Sequence, residues 1–157
     1  MVKKNILNFL IILFIFLLDR FSKIFIINSN DIHISNEIFL TPFLNLTLVW
    51  NEGIAFGLFS FEDKIYYHSL TAIIILITII ILIMIIKSIG LEKYGFVVIF
   101  GGSIGNIFDR IRYSSVPDFI DIHFNNFHWF IFNVADIFIT VGVLILIFNE
   151  IILKQKT

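Results

Sequence analysis

The sequence contains no cysteine, and only 15% of its 157 residues are charged. The absence of cysteine excludes a disulfide framework, a thiol nucleophile and a thiolate metal site. The formal net charge is −1, which argues against the clustered Lys and Arg that a nucleic-acid-binding domain uses to contact phosphates. The sequence therefore predicts no nucleic-acid partner.

Apolar residues are in excess, at 59% of the chain with a mean hydropathy of +0.99. A soluble domain is about half apolar and about a quarter charged. The apolar residues are clustered into segments close to the roughly 20 residues that cross a bilayer. We predict an all-α membrane protein that forms a single domain over residues 1–157. Its four transmembrane helices are predicted at about 6–27, 67–86, 94–111 and 130–153.

Two longer and more polar stretches, 28–64 and 112–129, connect the predicted helices. Within the first stretch, residues 39–49 have the β-branched and aromatic content of strands, with partial alternation. We therefore predict a small β element between helices one and two.

Lysines indicate how the chain is oriented in the membrane. Those near both termini and in the link between helices two and three all fall on one side if the chain crosses four times. The positive-inside rule makes that side cytoplasmic, so both termini are predicted inside and both long connections outside. The polar residues of helices one, three and four then lie in one layer near the outer surface. Because a charge at mid-bilayer costs roughly 2.5–3.5 kcal/mol, this convergence predicts a functional site.

Two of the polar motifs have structural interpretations. Asp19 and Lys23 stand four residues apart on one helix face, so they are predicted to form an ion pair that supports the helix end. Arg20 is predicted to extend to the lipid headgroups. Gly102 lies in the segment GGSIGNIFDR, whose glycines allow close helix packing in lipid.

Three polar residues of the same segment, Asn106, Asp109 and Arg110, are not explained by packing. They either pair with one another or orient a neighbouring carboxylate and a lipid headgroup. Asn51 and Gly53 belong to NEGIAFG, which is equally typical of a turn and of an edge that binds a peptide.

Asp118 and Asp136 are the carboxylates that we expect to carry chemistry. Asp136 shares a helix face with Asn133 and has no basic neighbour within a turn. An unpaired Asp in lipid is protonated or placed against a partner. Two carboxylates that share a proton supply an acid and a base at neutral pH. The structural alternatives are a helix cap for Asp118 and an interhelical hydrogen bond for Asp136.

Histidine gives little indication of a metal site, and none is predicted. His123 and His128 lack the spacing of helical metal ligands, and His33 and His68 stand alone.

Five motifs, in order along nearly the whole chain, resemble the lipoprotein signal peptidase family, the bacterial signal peptidase II. They are D-x-x-S-K, N-x-G-x-A-F, G-G-x-x-G-N-x-x-D-R, V-x-D-F-I-D and F-N-x-A-D. The resemblance implies an intramembrane aspartic endopeptidase without metal or cofactor, in which Asp118 and Asp136 are catalytic. It implies a prolipoprotein substrate whose lipobox Cys already bears diacylglycerol, cleaved just before that Cys. Pro117 departs from the family, which more often has Val or Ile before this Asp.

The remaining assignments follow from the motifs. We expect five residues to bind or orient the substrate, namely Asn51, Gly53, Asn106, Arg110 and Asn133. Four residues are expected to support the structure, namely Asp19, Lys23, Gly102 and Asp109. The expected setting is the bacterial inner membrane, with phospholipid around a monomer. The alternative functions are a small ion or proton transporter and a non-catalytic lipid-binding scaffold.

Overall fold

A computed structural model of the chain describes residues 2–29, 32, 34, 37–53, 64–125 and 127–153. Within these residues there are four long helices and one small antiparallel sheet, with two strands after the first helix and two after the third. The elements in chain order are α1 (Val2–Ile27), β1 (Glu37–Thr41), β2 (Leu44–Asn51), α2 (Lys64–Lys87), α3 (Gly90–Tyr113), β3 (Val116–Phe124), β4 (Phe127–His128) and α4 (Val134–Phe148), followed by a π-helical turn (Asn149–Leu153). Residues 54–57, the second half of the predicted NEGIAFG motif, lie outside the described residues.

The prediction of a mostly helical protein with a small β element is confirmed. Among the described residues, Tyr67–Lys87 and Val134–Ile151 are long and apolar enough to cross a membrane. Helices α1 and α3 carry several charged residues, which lowers their hydropathy although each exceeds 20 residues. The number of membrane crossings therefore stays a prediction.

The sheet is larger than the sequence indicated. Its strand order is β1-β2-β3-β4, and every neighbouring pair is antiparallel. The prediction of a β element between the first two helices is confirmed, but the second connection was wrongly interpreted as only a link. It supplies β3, whose sequence VPDFIDIHF has the β-branched and aromatic residues that strands favour.

The start of α4 differs from the prediction of residue 130. Asn133 has an extended backbone (φ −126°, ψ 179°), and its side chain accepts a hydrogen bond from the backbone N–H of Asp136. The carboxylate of Asp136 accepts in return from the backbone N–H of Asn133, which completes a capping box. Phe132, just before the cap, pairs with Ile120 of β3. The helix therefore begins at Val134, directly beside the sheet.

Helix α3 packs against α1, α2 and α4. A Cβ atom added at Gly102 would lie 2.5 Å from the backbone oxygen of Ala135, so any larger residue would separate α3 from α4. A Cβ atom at Gly105 would lie 2.6 Å from Oδ2 of Asp19. These glycines bring the polar residues of three helices within hydrogen-bonding distance of one another.

Candidate active site

Asp118 and Asp136 reach the same place from a strand and a helix. Asp118 lies in β3 opposite Val49 of β2, and Asp136 is in the first turn of α4. Asn133 contacts both, since its side-chain amide donates to Oδ1 of Asp118 at 2.6 Å and its backbone N–H donates to Oδ2 of Asp136 at 3.1 Å. The backbone pairing of Phe132 with β3 holds Asn133 in this position.

The orientation of each amide around Asp118 is determined by a second partner. Oδ1 of Asn51 accepts from the backbone N–H of Gly53 at 2.9 Å, so its NH₂ group must point to Oδ2 of Asp118, 2.8 Å away. Oδ1 of Asn133 likewise accepts from the backbone N–H of Asp136, at 3.1 Å. Both oxygens of Asp118 therefore accept hydrogen bonds from amides that cannot flip without losing a partner.

Asn106 orients the second carboxylate. The ammonium of Lys23 can only donate, and it lies 2.9 Å from Oδ1 of Asn106. The NH₂ group of Asn106 therefore donates to Oδ1 of Asp136, at 2.8 Å. The two carboxylates are thus held by three asparagines, each fixed by a backbone group or a buried charge.

Burial changes the acidity of the strand carboxylate. Asp118 is 3% exposed, and this burial, together with the negative charge of nearby Asp136, raises the pKa of Asp118 to about 6. Hydrogen bonds from Asn51 and Asn133 oppose the rise. A carboxyl with a pKa in this range can exchange its proton close to neutral pH, which suits a general acid or base.

A buried ion network lies beneath the two carboxylates. Lys23 is fully buried and contacts Asp19 at 2.9 Å and Asp109 at 2.7 Å, which includes the predicted pair with Asp19. The expectation that Arg20 extends to the headgroups is wrong. Its guanidinium forms ion pairs with Asp109 and, at 2.8 Å, with Asp19, because two buried carboxylates need more than one cation.

Helix and loop contacts extend this support. Oδ1 of Asp19 accepts from the backbone N–H of Ala135 at 3.1 Å, so α1 supplies an anion to the N-terminus of α4. Arg110 donates to the carbonyl oxygen of Gly53, and its guanidinium carbon lies 5.6 Å from the ring centroid of Tyr67. Arg110 therefore attaches the segment after β2 to α3.

A cavity of about 730 Å³ opens beside the carboxylates. Its polar lining includes Asn51, Asn106, Arg110, Asp118, Asn133 and Asp136. The remaining lining is mostly apolar and aromatic, with Ile74, Val116, Trp129, Phe130, Phe132 and Ile137 among its members. An apolar cavity with a few convergent polar groups is typical of a binding site.

Sequence reasoning missed one side-chain cluster. Asp121, His123 and His128 each offer a ligand atom within 4.8 Å of the others. Helical ligand spacing does not identify this cluster, because its residues lie on a β-hairpin. Residues two apart on a strand share a face with their cross-strand partner, and that period would have identified the cluster.

A family model and curated relatives of this chain all indicate the same protein family. Residues 11–152 match the family model described as signal peptidase (SPase) II. The chain is 51% identical over 154 residues to a lipoprotein signal peptidase of Pelagibacter ubique (strain HTCC1062). The matched region covers 98% of this chain and 93% of the relative. The chain is also 46% identical over 153 residues to a lipoprotein signal peptidase of Wigglesworthia glossinidia brevipalpis, with coverages of 94% and 96%.

A solved structure has the same fold. It is a bacterial membrane enzyme that is 29% identical to this chain and superposes with a TM-score of 0.75. The match covers 96% of this chain and 89% of the solved one.

Proposed function

Because the chain belongs to the signal peptidase II family, and is therefore a protease that removes signal peptides from prolipoproteins, we propose that Asp118 and Asp136 perform this cleavage as an aspartic dyad. The observation that carries the proposal is the pair of contacts from Asn133. They bring one carboxylate from β3 and one from α4 to the same end of an apolar cavity.

The reaction needs one proton shared between the two carboxyl groups. The ionised carboxylate removes a proton from a water molecule, whose oxygen attacks the carbonyl carbon of the scissile peptide. The protonated carboxyl donates its hydrogen bond to the carbonyl oxygen. When the tetrahedral intermediate collapses, the C–N bond breaks and the amine leaves with a proton from the dyad. The pKa of about 6 for Asp118 supports such sharing near neutral pH.

Four polar residues then have a positioning role in this reaction. Asn51, Asn106 and Asn133 aim the carboxylates through the hydrogen bonds described above. Arg110 fixes Gly53, whose backbone N–H in turn holds Asn51. We infer that these groups also form the polar end of the peptide site, with Asp19, Lys23, Gly102 and Asp109 as structural support.

The apolar part of the cavity suits a substrate that is itself membrane-bound. A signal helix and a diacylglyceryl group on the lipobox Cys would anchor the peptide beside the dyad. Such anchoring supplies orientation before the reaction and so lowers the entropy cost of the transition state. The scissile bond would be the one just before the lipidated Cys.

The proposed setting is the bacterial cytoplasmic membrane, which is the inner membrane where a second membrane is present. We propose a multi-pass monomer in contact with phospholipid, with residues 1–157 as one domain. Both termini are cytoplasmic, and the dyad faces the extracytoplasmic side. The lysine distribution supports this orientation.

Purified protein in detergent, incubated with a precursor peptide that carries a diacylglyceryl Cys, tests the proposed function. Mass spectrometry should find a single cut just before that Cys. The same peptide with an unmodified Cys is the matched control and should be cut much more slowly. Equal cleavage of both peptides would contradict the proposed substrate, and no cleavage of either would contradict the proposed activity.

A further inference from the structure

The β3–β4 hairpin carries a group of side chains that the proposed peptidase reaction does not use. Asp121 and His123 are two residues apart on β3, and His128 of β4 is the direct cross-strand partner of His123. Side chains two apart on a strand point to the same face, and an antiparallel partner points there too. The hairpin therefore presents one carboxylate and two imidazoles together.

The distances in this group approach those of ligands around a single ion. Nδ1 of His128 lies 2.9 Å and 3.1 Å from the two oxygens of Asp121. Ligand atoms bound at about 2.1 Å in a tetrahedral site are roughly 3.4 Å apart. The three ligand atoms lie within 4.8 Å of one another, so a small rotation of a partly exposed histidine would bring them around one ion.

His123 gives a second, independent indication. Its Nδ1 atom is buried, yet it has no hydrogen-bond partner among the residues that the structure describes. A buried polar atom without a partner costs roughly 1–3 kcal/mol, so such atoms usually have a further partner. The imidazole is stacked on that of His128, with ring centroids 5.0 Å apart. Two imidazoles stacked so closely can both offer ring nitrogens to a shared cation.

We propose that Asp121, His123 and His128 bind a divalent transition-metal ion of the zinc type. Two imidazoles and one carboxylate form a ligand set that zinc prefers, and the exposed side of His128 leaves a coordination position for water. The alternative is a metal-free hairpin in which Asp121 only forms a hydrogen bond with His128.

The ion would fix β4 to β3. Strand β4 has only two residues, and the chain turns into it through Asn125, which has a positive φ of 52°. The residues that follow, Trp129 and Phe130, line the cavity beside the dyad. Bound metal therefore stabilises the edge of the cavity without contacting the carboxylates of the proposed reaction.

The test uses the full-length protein in detergent, purified with a tag that contains no histidine and treated with a chelator that is then removed. Calorimetric titration with Zn²⁺ should give one site per chain, and Co²⁺ in its place should give visible absorption bands of a low-symmetry site. His123→Asn and His128→Asn should each weaken Zn²⁺ binding by more than about tenfold, because each removes one of three protein ligands.

His68→Asn is the matched control, because it removes an exposed histidine on α2 outside the hairpin and should bind Zn²⁺ as the parent does. His123 has no described side-chain hydrogen bond to lose, so His123→Asn decides the outcome if His128→Asn fails to fold. Absence of a single saturable site in the parent, or binding unchanged in His123→Asn, would overturn the proposal. Because the readout is metal binding, either result is independent of peptidase activity.

Discussion

The side-chain amide of Asn133 donates a 2.6 Å hydrogen bond to Oδ1 of Asp118 and thereby joins the N-terminus of α4 to β3. The same residue caps the helix on which Asp136 stands. One asparagine thus sets the helix start and the relative position of both carboxylates. Replacing a cap residue costs about 1 kcal/mol, a small part of the stability of a domain. We therefore expect loss of this cap to disturb the positions of the two carboxylates while the protein still folds.

The buried cation Lys23 should be essential for stability. Its ammonium contacts Asp19 and Asp109, so Lys23→Met leaves two buried carboxylates with Arg20 as their one remaining basic partner among the described residues. Breaking a buried ion pair on one side costs roughly 3–5 kcal/mol. We expect a clear drop in the melting temperature in detergent. Lys87→Met, at an exposed lysine, should melt like the parent.

A Lys23→Met protein that melts normally but has no turnover would contradict this structural role. Lys23 would then act on the reaction, through Asn106 and its hydrogen bond to Asp136.

The acidity of Asp118 predicts how stability depends on pH. Its folded pKa of about 6 lies above the unfolded value near 3.9, so the native state binds this proton more tightly. The stabilisation is complete below about pH 4 and is lost as pH rises through about 6. The loss amounts to roughly 2–3 kcal/mol, at about 1.4 kcal/mol per pKa unit.

Asp118→Asn cannot titrate and so lacks this dependence. The melting temperature of the variant minus that of the parent should therefore increase from pH 4 to pH 7.5. A difference that is constant over this range would mean that Asp118 is not the buried acid described here.

The helices could be predicted from the sequence because their signals are local, and Asp118 and Asp136 were identified as candidates by their motifs. Long Ile- and Leu-rich runs identify α2 and α4, and an Asp without a basic neighbour within a turn identifies Asp136. Residues 112–129 were harder, because the strand β3 is stabilised by pairing with β2, far away in sequence.

The ion network depends on similar long-range contacts, whereas the hairpin cluster depends on a local turn. Arg20 reaches Asp109, 89 positions away, and sequence spacing alone cannot indicate that pair. His123 and His128 meet because of a turn at Asn125, whose positive φ is not specified by a glycine. Sequence spacing thus predicted the local pair of Asp19 with Lys23, but not the partners that lie far apart in sequence.

The proposed orientation can be tested by labelling, because the chain has no cysteine of its own. Glu52→Cys, just after β2, should react with a membrane-impermeant maleimide in intact cells. Lys87→Cys, at the end of α2, should react only after the membrane is permeabilised. Both positions are exposed, so access across the membrane decides the outcome. The reverse pattern would place the dyad on the cytoplasmic side.

Treatment with a chelator should show whether the peptidase reaction depends on the proposed metal site. The dyad acts through carboxylates and amides, so EDTA should leave the turnover of the lipidated peptide unchanged. The same treatment should lower the melting temperature if the hairpin has retained its ion. Loss of turnover with EDTA in His123→Asn, which lacks the hairpin site, restored by zinc, would contradict the metal-free aspartic mechanism.

Turnover of the lipidated peptide by three variants is the most direct test of the dyad, namely Asp118→Asn, Asp136→Asn and the double substitution. Asparagine keeps the volume of aspartate but neither ionises nor transfers a proton. Each single variant should lose roughly a thousandfold or more in turnover, and the double variant should lose little beyond that, because the two groups act as a unit. Glu150→Gln, the same change of carboxylate to amide beyond the far end of α4, is the control and should remain active. Substantial turnover by either folded single variant would contradict the assignment of Asp118 and Asp136 as the catalytic pair.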